Sequence, residues 1–201
     1  SQESGCIICD YRKSTNQSIN SIAFLKREDK IKGFYYAVNF IEMELIIIPI
    51  LTKNKLFGDV KPEKIDESFW VQKNTRYTLS DDGKDISEYE EVVNIFNLFY
   101  KQDALPFFER WKDLNVLYEY IKDKTEREEL SEILGQFWQF KKAAILRLCN
   151  DSSYEDFMTK FVNRREEILK MRPESIDVQR YYNASKELKQ VLDNTKPIYN
   201  V

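Results

Sequence analysis

The hydrophobic repeat of this chain changes period near Asp85, and that switch limits the folds open to it. Upstream, apolar residues alternate. Ile31 to Ile41 carries Phe34, Tyr36, Val38 and Phe40 on one side and Tyr35, Ala37 and Asn39 on the other, the period of two of a half-buried strand. Downstream, Ile86, Tyr89, Val92, Val93, Phe96, Phe99 and Tyr100 recur at helical spacing. Strands first and helices afterwards predict an α+β fold rather than a doubly wound parallel sheet.

The 201 residues suit one domain, with residues 1–84 mainly strands and 85–194 mainly helices. About five antiparallel strands are expected: Cys6 to Arg12, Ile19 to Arg27, Ile31 to Ile41, Leu45 to Leu51 and Phe69 to Leu79. Pro49 would hold the fourth at an edge or bulge. Residues 52–67 read as a loop, and Ser80 to Gly83 as a turn. Asp85 with Glu88 would cap the first helix. Pro106 punctuates the chain before Phe107, Phe108 and Trp111, and Asp113 caps a helix with Leu114, Leu117, Tyr118 and Ile121. Thr125 with Glu128 opens one long helix reaching Leu148. Ser152 with Glu155 opens another that Arg172-Pro173 breaks. A last helix spans Ile176 to Asp193, and the tail from Thr195 is expected to be loose.

Composition narrows the chemistry. There is no histidine, which removes Ser-His-Asp and Cys-His catalysis and the commonest general base near neutral pH. Only five glycines are present, and no glycine-rich phosphate loop is found. A net charge of -3, with both signs interspersed, offers no field for nucleic acid or anionic lipid. The most basic stretches, Lys141-Lys142 with Arg147 and Arg164-Arg165, read as solvated helix faces. Cys6, Cys9 and Cys149 are an odd set without a second chelating pair, so a disulfide framework and a structural zinc are both disfavoured. The longest apolar run, Leu45 to Leu51, is too short to span a membrane. The expected compartment is the reducing cytoplasm. An export signal upstream of Ser1 would leave no trace here, although Ser4-Gly5-Cys6 matches part of a lipoprotein signal end.

Three functional readings compete. The best enzyme candidate is a metal-dependent hydrolase or nuclease using Asp10, Glu28 and Lys30, whose E-x-K spacing could hold Mg²⁺ and an attacking water. Glu42 with Glu44, and the turn acids Asp81, Asp82 and Asp85, are weaker carboxylate sets. A structural subunit that oligomerises through its C-terminal helices is the second reading. The third is protein binding. Helical spacing cannot bury Phe107, Phe108 and Trp111 on one side, so the segment is either a core corner sandwiched between the sheet and the long helices or a partly exposed anchor for a partner, where aromatic residues and Arg are enriched. Tyr11, Tyr35, Trp70 and Tyr77 could extend the patch over the sheet. The anchors chosen are Trp70, Tyr77, Phe107 and Trp111; no catalytic residue, metal or cofactor is assigned.

The order of motifs resembles a bacterial family of uncharacterised α+β domains, some encoded beside polymorphic toxins. The matching pieces are Asp10-Tyr11-Arg12-Lys13, Ile19 to Ile41, Phe69-Trp70, Ala104-Leu105-Pro106-Phe107-Phe108-Glu109-Arg110-Trp111 and Leu117 to Ile121, within residues 5–150. The resemblance implies an immunity-like or toxin-associated binding protein; if it is an immunity protein, the expected mechanism is occlusion of the toxin. It implies no catalytic residue.

Overall fold

The alternating segments near the N-terminus form an antiparallel sheet, and the chain beyond Phe40 is mostly helical. A computed structural model describes residues 6–14, 17–57, 79 and 83–199. The chain divides into two units: Ser1–Asn39 with Phe69–Asp113, and Phe40–Ser68 with Leu114–Val201.

In the first unit, β1 (Cys6–Ser14) pairs with β2 (Ser18–Arg27) from Cys6 opposite Arg27 to Ser14 opposite Ile19. β3 (Lys30–Phe40) comes after β2, and the short β4 (Lys84–Asp85) pairs antiparallel with its start; the sheet order is β1-β2-β3-β4. The two-residue β2–β3 connection places Glu28 at a positive φ of 55°. Such a conformation suits the twist of a tight hairpin. Gly83, at φ 73°, lets the backbone pass close to β3: a Cβ there would lie 2.7 Å from the Ile31 carbonyl oxygen. Three of the five expected strands are thus described as strands, and β4 is a fourth that was not expected; the expected strand from Phe69 to Leu79 lies outside the described residues except for Leu79.

β3 supplies the aromatic core of this unit. Phe34 stacks on Phe99 at 5.3 Å, and Tyr36 meets Phe107 edge-on at 4.6 Å. These partners come from α2 (Tyr89–Phe99), a π-helical turn (Tyr100–Ala104) and α3 (Leu105–Arg110). Pro106 does not stop the helix. It cannot donate to the Gln102 carbonyl, and its ring would crowd that group; the wider turn just ahead accommodates both demands. Asp85 does not cap α2. It belongs to β4, and its carboxylate accepts from the Ser87 amide at 2.8 Å and hydroxyl at 2.6 Å, delaying the helix to Tyr89.

Beyond Phe40, the regular elements of the second unit are all helices among the described residues. Leu45 to Leu51, expected as a strand, lies inside α1 (Ile41–Lys53). Its buried residues Met43, Ile47, Ile50 and Leu51 recur at helical spacing, and Glu42, Glu44 and Lys53 suit the helix dipole. The isoleucine run alone favoured a strand. Pro49 is exposed and costs the helix one bond to Leu45 without ending it.

The expected long helix is two: α5 (Arg127–Leu134) and α6 (Trp138–Leu148). Gly135 (φ 64°, ψ -148°) and the left-handed Phe137 (φ 59°) break it. Neither Thr125 nor Glu128 caps α5, whose first residue comes after Glu126. α4 (Leu114–Ile121), α7 (Tyr154–Met171) and α8 (Ile176–Asp193) complete the unit.

α6 touches α1, α4, α5, α7 and α8, and is buried nearly all round. Its basic residues are therefore not on a solvated face. Lys141 Nζ donates to the Leu134 carbonyl at the end of α5 (2.5 Å). Lys142 Nζ donates to the Lys124 carbonyl beyond α4 (2.5 Å). Arg147 Nε donates to the Leu192 and Thr195 carbonyls at the end of α8. Three basic side chains thus satisfy the carbonyl ends of three neighbouring helices. The C-terminal tail is anchored rather than loose, because Ile198 and Tyr199 amides donate to the Leu148 carbonyl at 2.8 and 3.0 Å. Among the described residues, no helix is long and apolar enough to cross a membrane.

Candidate functional site

The sharp α5–α6 junction leaves a recess against the α7–α8 pair, a cavity of about 680 Å³. Arg127 enters it from the start of α5, Gln139 from the first turn of α6, Arg165 from α7 and Tyr181 from α8. Gly135 and Phe137 supply its backbone wall, and the Phe137 ring is fixed by Phe57 (5.4 Å), Phe140 (6.1 Å) and Tyr181 (5.9 Å). No Asp or Glu lines this cavity among the described residues.

Arg165 is held in place. Its guanidinium lies 4.6 Å from the Tyr181 ring centroid and 5.3 Å from that of Phe161. Its Nη2 donates to Gln139 Oε1 at 2.5 Å, while its buried Nε has no hydrogen-bond partner among the described residues. Burial lowers the proton affinity of Arg165; Tyr181 opposes that, and the cations Arg164 and Arg127 add to it. An arginine nevertheless stays charged at any working pH. Burial also raises the Tyr181 pKa against the pull of Arg165, so the hydroxyl remains protonated. Neither Arg127 nor Arg165 forms an ion pair among the described residues. A partly desolvated guanidinium without a counter-ion is costly, and a planar oxyanion is its natural complement.

A second, smaller cavity of about 140 Å³ shares Arg165 and Tyr181 with the first. Ile168 from α7 and Val178 from α8 give it an apolar lining, with Asp177 at its side.

The residues singled out in the sequence lie elsewhere. Phe107 and Trp111 are buried in the first unit, 6.4 Å apart, with the Arg110 guanidinium 4.5 Å from the Trp111 ring centroid. Trp70 and Tyr77 lie outside the described residues, as do the carboxylates Asp81 and Asp82. The hydrolase set is not gathered. Asp10 pairs with Ala23, five residues before Glu28, which separates them by ~16 Å along the strand. Glu42 and Glu44 sit two apart on α1 and diverge around it. No group of acidic and cysteine side chains suited to a metal occurs among the described residues. Cys149 is buried and forms no disulfide among the described residues.

Sequence reasoning missed Arg127, Gln139 and Tyr181. Two signals were present. Gly135 interrupts a helical pattern, and Arg164-Arg165 is a basic pair whose members differ: Arg164 pairs with Glu167 at 2.9 Å in solvent, whereas Arg165 turns inward. Comparison with protein-family models, curated proteins and solved structures found no match to this chain.

Proposed function

We propose that this chain is a binding protein that recognises another protein, and that the cavity beside α5, α6, α7 and α8 is where it takes hold. The observation that carries this reading is the pair of arginines, Arg127 and Arg165, bordering one cavity that no carboxylate lines among the described residues. Arg165 is already stacked and hydrogen-bonded, so little side-chain freedom is lost when an anionic group docks. Buried arginine and aromatic side chains are the usual anchors of protein interfaces. In keeping with the family resemblance, the partner is a toxin and the mechanism is occlusion: the bound chain covers the toxin's working surface.

Co-expression with the product of an adjacent toxin gene, followed by size-exclusion chromatography, tests this. A stable complex that relieves toxicity is the expected result, weakened at least tenfold in an Arg127→Ala/Arg165→Met variant. Absence of a complex would remove the immunity reading. A complex indifferent to both substitutions would remove the cavity as its site.

A further inference from the structure

We propose that the paired cavities form a receptor for the free C-terminus of a polypeptide, its terminal carboxylate held by Arg127 and Arg165 and its last, apolar side chain seated beside Ile168 and Val178. This rests on reading the larger cavity as a protein-recognition site, and it names the chemical feature recognised.

Arg165 and Tyr181 border both cavities, so the anion-binding and apolar compartments are neighbours across a shared wall. A ligand filling both must present a planar oxyanion and an aliphatic group close together. Within a polypeptide, only the last residue carries a main-chain carboxylate and a side chain on the same Cα. An internal Asp or Glu offers the anion but uses its side chain to do so.

The volumes agree with this division. A cavity of about 150 Å³ is enough for benzene, so the 140 Å³ compartment accepts one Leu, Ile or Phe side chain and little more. The 680 Å³ cavity has room for the carboxylate and the preceding residues. Ser131, Gln136 and Gln139 line it with hydroxyl and amide groups that can bond a peptide backbone. The guanidinium fork is matched to a carboxylate, to which it donates two parallel hydrogen bonds. Asp177, beside the apolar compartment, lies 3.4 Å from Arg180, which offsets its charge.

The test uses the full chain and isothermal titration calorimetry with a set of octapeptides built on Gly, Ser and Ala. One ends in Leu with a free carboxylate and one in Leu amide. Another ends in Gly with a free carboxylate, and a fourth has an internal phosphoserine and an amidated end. The free-acid Leu peptide is expected to bind at least tenfold more tightly than either its amide or the Gly peptide. Its affinity should fall about tenfold in Arg127→Ala, an exposed position where folding is not at risk, and in Arg165→Lys, which keeps the charge but loses the fork.

Equal binding of acid and amide, or no binding of any peptide, would overturn the inference. Preference for the phosphoserine peptide would overturn it too, by assigning the arginines to a phosphoryl group. The underlying reading is judged separately: a toxin complex that depends on Arg165 but survives amidation of the toxin's C-terminus rejects the terminal carboxylate and keeps the protein-binding site.

Discussion

Single residues in this chain hold conformations that their side chains do not favour, and each has a different reason. Glu28 sits at φ 55° in an exposed hairpin turn. Glycine tolerates that region freely, so Glu28→Gly is expected to raise the unfolding free energy by about 0.5–1 kcal/mol, read from the urea midpoint. Phe137 has a similar φ but is buried, and three aromatic neighbours compensate its backbone. Tyr36 is a residue-scale probe of the π-helical turn. Burial raises its pKa, and the nearby Asp103 carboxylate raises it further. Replacing Asp103 by Asn removes only the second cause. The Tyr36 pKa should therefore fall towards the ordinary phenol value without reaching it, as followed by ultraviolet difference titration. An unchanged titration would mean that the carboxylate is not felt by the phenol.

At the scale of elements, the α5–α6 junction decides whether the cavity exists. Gly135 adopts φ 64° and ψ -148°, a region that a Cβ makes costly. Gly135→Ala is expected to lose about 1–3 kcal/mol of stability in chemical denaturation, and to weaken ligand binding with it. The strand-to-helix order and the last helix, Ile176–Asp193, were readable because long periodic stripes carry their own evidence. The segment from Leu45 to Leu51 was not. A short apolar run has the same composition in a buried strand and a buried helix, and only burial at Met43, Ile47 and Ile50 separates the two. Nor was the cavity legible, since Arg127, Arg165 and Tyr181 are distant in sequence and converge only through helix packing. Pro49 offers a check on α1. Pro49→Ala restores a donor opposite the Leu45 carbonyl and should stabilise the protein by about 1–3 kcal/mol in thermal or urea unfolding.

At the scale of the molecule, the lysines of α6 tie stability to pH. Burial drives the Lys141 pKa down to about 7, and Glu44 only partly opposes it. Burial lowers that of Lys142 as well. Between pH 7 and the ordinary lysine value of 10.5, the unfolded chain binds the proton that folded Lys141 has released. Stability attributable to Lys141 therefore rises with pH across that window, by at most about 1.4 kcal/mol per pH unit, and is flat below it. In Lys141→Met, the slope of unfolding free energy against pH from 7 to 9 should be shallower than in the parent. Slopes are the quantity to compare, because the variant also leaves the Leu134 carbonyl without its lysine partner and loses stability at every pH. Coincident slopes would mean that Lys141 stays protonated in the fold.

One wall of the recess is the opening turn of the helix that every other helix of its unit leans on. A small molecule gripping Gln139 and Arg165 therefore binds at the helix with the most helical neighbours in the unit, and its binding free energy adds to the cost of unfolding it. Occupancy at a hundredfold excess over the dissociation constant adds about 2.7 kcal/mol to unfolding. Simple melting curves, run against a panel of organic acids, can screen for what belongs there before any partner is in hand.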